Sequence, residues 1–203
     1  MDLERAKENF KNHVATFTDY GNIKILDFKR PESSEYRIRF LFEEDYCRLH
    51  ISGDLGELIA SNYNNMVYEK FSDFVNDVGY FEGKIDCHSR KIYSYDETDA
   101  EEDLRKLFEE YDIYDDIVAE KYEWETEGEK IQEVIEEILC DFSNDTGIGS
   151  KGYEKLSSYI DDTWEVSGDI GKRNTGILDL YMLAFDLAKK QLSDPPSASS
   201  PLV

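Results

Sequence analysis

The spacing of apolar residues in the first half of the chain predicts one helix followed by an antiparallel sheet. Apolar residues recur at helical spacing over residues 2–15, at Leu3, Ala6, Phe10 and Val14. Three strand-like segments follow, at about residues 23–28, 36–42 and 47–51. The last two alternate between apolar and polar residues, as strands with one buried face do. We therefore predict an antiparallel meander on which the first helix packs.

The short connection at residues 43–45 predicts the register of the last two strands. Pairing across it would bring Arg39 near His50 and Leu41 near Arg48. The exposed face of the sheet would then carry a small cationic patch. Such a patch could hold an anion, or it could pair internally with the acidic half of the chain.

Helical spacing dominates the second half of the chain. Helices are predicted over residues 66–78, 98–111, 127–142, 153–164 and 177–192, with a short strand near residues 91–95. The clearest helix covers 127–142, where apolar residues spaced for one face are Ile131, Val134, Ile135, Ile138, Leu139 and Phe142.

These patterns predict an α+β fold: an N-terminal helix with a small antiparallel sheet, followed by an acidic, helix-rich C-terminal half. The expected divisions are an α+β domain over residues 1–95 and an acidic helical region over residues 96–192. Residues 193–203 are rich in Ser and Pro, and we expect them to form a disordered tail.

Charge is concentrated in the acidic helical region. Between Asp96 and Asp145 the sequence has 21 carboxylates against four basic residues, so this stretch holds −17 of the −23 formal net charge. Aromatic residues make up 13% of the chain, which is too many for a disordered acidic tail. A folded surface with this charge attracts a basic partner and repels an acidic one.

Composition also excludes several classes of protein. Three widely spaced cysteines do not form a disulfide framework and fit a reducing compartment. The N-terminus lacks the features of a signal peptide, and no apolar run reaches the roughly 18 residues that span a bilayer. Because phosphate backbones and anionic lipids repel an acidic protein, we expect no direct nucleic-acid or membrane partner. The expected location is the cytoplasm.

The candidate metal-binding and catalytic residues do not have the spacings that metal sites or catalytic sites require. Cys47 and His50 are three residues apart on a strand, and Cys87 and His88 are adjacent, so neither pair has a chelating spacing. We expect no catalytic residue, no metal site and no cofactor.

Two further segments resemble catalytic motifs only in part. The glycine-rich segment 147–152 lacks both the preceding apolar strand and the Gly-Lys-Ser/Thr order of a phosphate cradle, which favours a flexible connection between helices. Asp77 with Glu82 and Lys84 has the residue types of a metal-dependent nuclease. Acids are so frequent in this chain that such a grouping arises readily by chance.

The region around residues 22–110 resembles a group of tailed-phage proteins. The resemblance rests on Arg30-Pro31 with Ser33-Ser34, on the turn Ile51-Ser52-Gly53-Asp54-Leu55-Gly56, and on a Phe-rich helix containing Phe71 and Phe74. The group's turn reads Ile-Thr-Gly-Asp-Met-Gly, so Ser52 and Leu55 depart from it. The resemblance implies a phage or mobile-element origin and carries no activity. For the turn itself, Gly53 and Gly56 permit positive φ around Asp54, which favours a structural role.

Charge and resemblance together predict a non-enzymatic inhibitor, such as an anti-CRISPR protein. It would dock an acidic, nucleic-acid-mimicking face on the basic groove of a host defence nuclease, for example a CRISPR effector. The alternatives are an immunity or antitoxin protein that neutralises a basic toxin, and a small phage enzyme. The predicted contact interleaves acids with aromatics, which supply attraction and specificity respectively. Its residues are Asp112, Tyr114, Asp115, Asp116, Glu120, Tyr122, Glu123, Trp124 and Glu125.

Overall fold

The computed structural model describes residues 3–193, which form an α+β protein with two compact units. Residues 3–92 and 176–193 build the first unit, and residues 93–175 build the second. The elements, in chain order, are α1 (Leu3–Phe10), β1 (Val14–Asp19), β2 (Ile23–Lys29), β3 (Ile38–Glu43), β4 (Arg48–Gly53), β5 (Leu58–Ser61), α2 (Ser72–Val75), α3 (Val78–Glu82), β6 (Ile85–His88), β7 (Tyr93–Tyr95), α4 (Glu97–Glu110), α5 (Tyr114–Ala119), α6 (Glu127–Leu139), α7 (Ser150–Ser157), α8 (Thr163–Val166), β8 (Lys172–Asn174) and α9 (Ile177–Ser193).

The first unit is built on a six-stranded antiparallel sheet in which each strand pairs with the next along the chain, from β1 to β6. Because successive side chains point to opposite faces of a strand, the apolar alternation gives the sheet one buried face. The central strands supply most of that face, with Leu26, Phe28, Ile38, Phe40, Phe42, Leu49, Ile51, Leu58 and Ala60 all buried.

Helix α9 covers the buried face together with the short helices α1, α2 and α3. Phe185 of α9 lies edge-on to Phe71, with ring centroids 4.8 Å apart, and to Phe40 at 5.4 Å. Burying one such side chain contributes about 1.5–3 kcal/mol to folding. The last helix of the chain is therefore an integral part of the N-terminal core.

The N-terminal helix is shorter than predicted. Helix α1 ends at Phe10, and residues 14–19 form the edge strand β1. Val14 falls on the helical period of Leu3 and Phe10, but it begins the alternating run Val-Ala-Thr-Phe-Thr, in which Ala15 is buried and Val14 is exposed. β-branched residues favour a strand there, and the helical prediction for residues 11–15 is wrong.

The predicted register of β3 and β4 is wrong by two residues. Leu41 lies opposite His50 and Arg39 opposite Ser52. The connection is longer than expected because residues 44–46 form a 3₁₀ turn that ends at Cys47, whose φ of 51° is left-handed. A two-residue shift keeps every side chain on its predicted face of the sheet.

The predicted helix over residues 66–78 is also wrong in extent. Only residues 72–75 and 78–82 are helical, in α2 and α3. Asp77 separates the two helices and accepts a hydrogen bond from the Tyr80 amide at 2.9 Å, which caps α3. Phe74 and Phe81 are nevertheless buried, as the apolar pattern requires.

The second unit contains helices α4–α8 and the two-stranded ribbon of β7 and β8. Its core is made of apolar residues from all the longer helices, including Leu104, Phe108, Ile117, Val134, Ile138 and Leu156. Helix α6 confirms the clearest helical prediction over residues 127–139 and ends three residues earlier than predicted. Thr126 and Glu129 form a capping box at its start. The predicted helix over residues 153–164 is divided into α7 and α8.

The compact units divide the chain differently from the predicted boundaries at the C-terminal end. The first change of unit falls between Ile92 and Tyr93, close to the predicted boundary after residue 95. Residues 177–192, assigned from sequence to the acidic region, belong to the first unit as α9. Of the predicted disordered tail, Ser193 ends α9, and residues 194–203 lie outside the described residues.

The loss of folding stability at alkaline pH is expected to report on the packing of α9. Tyr181 is buried and donates a hydrogen bond to the Leu55 carbonyl at 2.9 Å, and burial raises the pKa of its phenol to about 12. An unfolded tyrosine ionises near ~10. The neutral folded phenol therefore stabilises the protein below pH ~10, and this stabilisation, at most about 2–3 kcal/mol, is lost between pH ~10 and ~12.

Urea unfolding from pH 8 to about 12 measures this loss. Tyr181→Phe keeps the ring and removes the ionisable group, so its stability should fall less steeply over that range. Tyr20→Phe, at an exposed tyrosine, is the control and should behave like the unmodified protein. Equal slopes for all three proteins would contradict the prediction.

Candidate partner-binding surface

The nine residues predicted to contact a partner lie in one continuous segment of the second unit, residues 112–125. It runs from the end of α4 through α5 to the loop before α6. Asp112 turns the chain with a left-handed φ of 55°, a conformation that Asp tolerates better than most residues. Ile113 and Ile117 are buried and anchor α5 in the core. The acids between them, Asp115 and Asp116, are consequently exposed.

A stacked aromatic pair stands in the loop after α5. The rings of Tyr122 and Trp124 are parallel to within 2°, with centroids 4.8 Å apart. The loop fixes the pair locally, because the Tyr122 amide donates to the Glu125 carboxylate at 3.1 Å. Even so, Tyr122 is 60% exposed and Trp124 is 82% exposed. Two large aromatic side chains are therefore held together and left in contact with solvent.

Three of the nine predicted residues are engaged within the unit. The carboxylate of Glu120 accepts a hydrogen bond from the Tyr159 hydroxyl at 3.1 Å, and Glu125 accepts the Tyr122 amide. Tyr114 is half-buried and lies edge-on to Phe108, with ring centroids 6.1 Å apart. These three residues position the segment more than they offer contacts to a partner.

The other six residues are exposed: Asp112, Asp115, Asp116, Tyr122, Glu123 and Trp124. The side chains of the four acids among them form no hydrogen bond or ion pair with any described residue. Their charges are therefore available to an external partner. We call these six residues the acidic–aromatic surface.

The neighbouring carboxylates on α6 are partly neutralised. Lys130 donates to Glu133 at 2.8 Å, which lowers the pKa of that carboxyl. Lys155 donates to Glu137 at 2.8 Å. Burial lowers the pKa of Lys155, but hydrogen bonds to Glu137 and Tyr159 outweigh that effect and raise it above the usual value. Because Lys155 lies on α7, the charge count over residues 96–145 missed its role.

The excess of acid extends over the whole second unit. Residues 93–175 contain 26 carboxylates and eight basic residues. The first unit therefore carries only −5 of the formal net charge of −23. The acidic–aromatic surface lies in the unit that carries nearly all of the net charge.

The glycine-rich segment after α6 binds a carboxylate of the same unit. Asp141 accepts hydrogen bonds from the amides of Lys151 at 2.9 Å and Gly152 at 3.1 Å, in the first turn of α7. The Lys151 amide in particular lowers the pKa of the Asp141 carboxyl. These helix-terminal amides therefore already have an anionic acceptor. The segment leads from α6 into the first turn of α7.

The turn around Asp54 has a structural role. Its carboxylate accepts a hydrogen bond from the Tyr36 amide at 3.0 Å. Gly53 has a φ of 143°, and a Cβ atom there would lie 2.1 Å from the Arg37 carbonyl oxygen. The close approach of the two strands therefore requires glycine at this position.

Two residues of the predicted cationic patch, Arg39 and His50, pair with acids of the first unit, where partners in the acidic half were predicted. The guanidinium of Arg39 donates to both carboxylate oxygens of Asp27, each at 2.8 Å. His50 lies 3.0 Å from the Glu43 carboxylate. Arg39 and His50 therefore do not form an open anion site.

The remaining candidate groups are dispersed. Asp77 caps α3, while the Lys84 ammonium lies 4.5 Å from the centroid of the Tyr80 ring. Within residues 3–193, His, Cys, Asp and Glu side chains form no group of three placed to hold a metal ion. In the same range, no helix has both the length and the apolar character needed to cross a bilayer.

Comparison of the chain with protein-family models, curated proteins and solved structures gives no match.

Proposed function

We propose that this protein is a non-enzymatic inhibitor of phage or mobile-element origin. It docks the acidic–aromatic surface on the basic nucleic-acid groove of a host defence nuclease, with a CRISPR effector as the favoured target. The observation that carries the proposal is the exposed Tyr122–Trp124 pair, flanked by four unpaired carboxylates. Trp and Tyr are enriched among the residues that dominate the energetics of protein contacts, and these two rings are already stacked on each other and accessible to a partner.

The charges suit a groove that normally holds a phosphate backbone. Such a groove is lined by Lys and Arg, which neutralise the phosphates of the nucleic acid. On a helix, residues three or four positions apart lie about 5–6 Å from each other. Asp116, in the first turn of α5, and Glu120, at its C-cap, have this spacing. Asp112 and Asp115 lie beside the start of the same helix. The segment can therefore place several carboxylates at positions in the groove that the phosphates of a short stretch of nucleic acid would otherwise occupy.

The aromatic pair supplies apolar contact area, which charged side chains alone do not provide. Charge complementarity mainly accelerates encounter and excludes wrong partners. A rigid aromatic anchor adds apolar contact area and loses little conformational entropy on binding. The stack of Trp124 on Tyr122 is already formed in the free protein. This division of roles favours a specific docking surface over a general solubility device.

The test is a stoichiometric titration against a purified CRISPR effector with its guide RNA and a labelled target DNA. Increasing amounts of the protein should displace the DNA and stop cleavage, with the end point near one molecule of protein per effector. Full inhibition at about a hundredth of the effector concentration would mean turnover, and the docking proposal would be abandoned. A pull-down that instead yields a small basic toxin would support an immunity protein.

Salt is expected to weaken the complex strongly. Attraction between exposed charges is screened over a Debye length of about 10 Å at 0.1 M salt and about 3 Å at 1 M. The dissociation constant should therefore rise steeply between low salt and about 0.5 M, chiefly through slower association. Surface plasmon resonance at several salt concentrations measures both rates. An association rate that does not change with salt would remove the electrostatic part of the mechanism.

Neutralising the four unpaired acids is expected to weaken binding at least tenfold. The changes are Asp112→Asn, Asp115→Asn, Asp116→Asn and Glu123→Gln. Asparagine retains the tolerance for left-handed φ that position 112 requires. Because all four side chains are exposed and form no hydrogen bond or ion pair with a described residue, folding should be nearly unaffected.

A matched control removes four exposed acids from the first unit, with Glu32→Gln, Asp45→Asn, Glu69→Gln and Asp86→Asn. Both variants have the same net charge. Equal weakening by the two sets would show that only the total charge matters, and the assignment of the docking surface would fail.

A further inference from the structure

A concave surface lies in the first unit, far along the sequence from the acidic–aromatic surface. It is a cavity of about 410 Å³ lined by Tyr46, Cys47, Arg48, Ser61, Asn62, Tyr63 and Lys84. Cavities of about 300–1,000 Å³ hold small organic ligands. We infer that this cavity binds a mononucleotide, with its phosphate on Arg48 and Lys84 and its base against an exposed tyrosine.

The sheet brings the two cations to one place. Arg48 begins β4 and lies opposite Ser61, the last residue of β5. The Ser61 amide donates to the Lys84 carbonyl at 2.9 Å, just before β6. Residues distant in sequence thus meet at neighbouring strand ends. The basic groups there are held by backbone pairing, which is a more rigid support than a loop.

The lining has an unusual charge for this protein. In a chain of net charge −23, the cavity is lined by two cations and by no carboxylate. By contrast, the cavity beside Arg39 includes Asp27 and Glu57, and a third, in the second unit, includes four acids. The Arg48 guanidinium makes no ion pair with any described residue. A phosphate would give it the charge-assisted, bidentate partner that guanidinium groups favour.

Two tyrosines stand at the same cavity with their rings in solvent. Tyr63 is 93% exposed and Tyr46 is 72% exposed. A nucleobase can stack on such a ring, and this stacking is available to every base because each has a π-face. Asn62 also lines the cavity, and its buried side-chain nitrogen has no acceptor within the described residues. Aromatic rings and an amide beside two phosphate-binding cations match the parts of a nucleotide.

The net negative charge of the protein favours binding of a small nucleotide over binding of a nucleic acid. A polyanion would bring many phosphates near a molecule of charge −23, and these would be repelled. A mononucleotide brings one phosphate group, which can be neutralised locally by the two cations. The inference rests on the first unit alone and is independent of the proposed inhibitor function.

The test is an NMR titration of the full chain labelled with ¹⁵N, using AMP as the probe. AMP should shift the amide signals of Arg48, Ser61 and Lys84, and should bind at least tenfold tighter than adenosine, ribose 5-phosphate or inorganic phosphate. Arg48→Gln and Tyr63→Ala should each weaken AMP binding about tenfold. Both side chains are exposed, so urea unfolding should confirm that the variants remain folded.

Lys29→Gln is the charge-matched control, since Lys29 is exposed and lines a different cavity. AMP binding should be unchanged in this variant. The inference is overturned if millimolar AMP shifts none of the three signals, or if Lys29→Gln weakens binding as much as Arg48→Gln. Inorganic phosphate binding as tightly as AMP would remove the role of the base. A 5′-phosphorylated trinucleotide binding more tightly than AMP would assign the cavity to nucleic acid instead.

Discussion

Replacing Gly152 by alanine should destabilise the second unit by about 1–2 kcal/mol. A Cβ atom at this position would lie 1.9 Å from the Ile138 carbonyl oxygen and 2.6 Å from a methyl carbon of Ile148. The first of these neighbours is backbone, so α6 and α7 would have to separate. Overpacking of this kind costs about 1–3 kcal/mol and sometimes more. The gain of about 1 kcal/mol in helix propensity from Gly to Ala offsets only part of that cost.

Gly128→Ala is the matched control, because Gly128 lies in α6 with no atom within 4 Å of the added Cβ. This change should leave stability unchanged or raise it by up to about 1 kcal/mol through helix propensity. Urea unfolding of the two variants and the unmodified chain gives the comparison. If Gly152→Ala were as stable as Gly128→Ala, the close contact between α6 and α7 would not exist as described.

Replacing Trp124 by alanine should weaken binding to the target by about thirtyfold or more. This corresponds to a loss of about 2 kcal/mol, the threshold that defines an interface hot spot. Trp124 is highly exposed, and its one ring contact within residues 3–193 is with Tyr122. Its removal should therefore leave the stability of the protein within about 0.5 kcal/mol of the original. Loss of binding without loss of stability would identify Trp124 as a contact residue.

The second tryptophan provides the control. Trp164, in α8 of the same unit, is 68% exposed and makes no ring contact with a described residue. Trp164→Ala removes the same side chain from another part of the acidic unit, and binding should change by less than about threefold. A similar loss from both variants would mean that aromatic content in general, and not the Tyr122–Trp124 pair, determines binding.

The sequence predicts correctly those helices and strands whose formation depends on residues close to one another in the chain. Helix α6 follows from an uninterrupted apolar stripe and the Thr126–Glu129 capping box, both of which depend on residues within a few turns. The strands β3 and β4 follow from strict alternation. Strand β1 was missed because Val14 continues a helical period by coincidence. The two-residue register error arose because a 3₁₀ turn ending in a left-handed Cys47 has no strong sequence signal.

The candidate surface was predictable in position but not in detail. Sequence identifies the acidic segment and its interleaved aromatics, since these are properties of composition. It does not show that Glu120 is engaged by Tyr159, because that contact joins residues 39 apart. Nor does it show that Lys155 neutralises Glu137 from a different helix. Which carboxylates remain available depends on tertiary packing, and only the structure separates them.

The path of the chain through the ribbon of β7 and β8 makes the acidic unit an insertion. Tyr93 lies opposite Asn174 across the ribbon, and directly paired Cα atoms in antiparallel strands are about 4.5–5.5 Å apart. The chain therefore leaves and re-enters the first unit at nearly the same point. A short linker between Ile92 and Gly176 would span that gap. The acidic unit can thus be regarded as a cassette, removable or exchangeable without rerouting the sheet or α9.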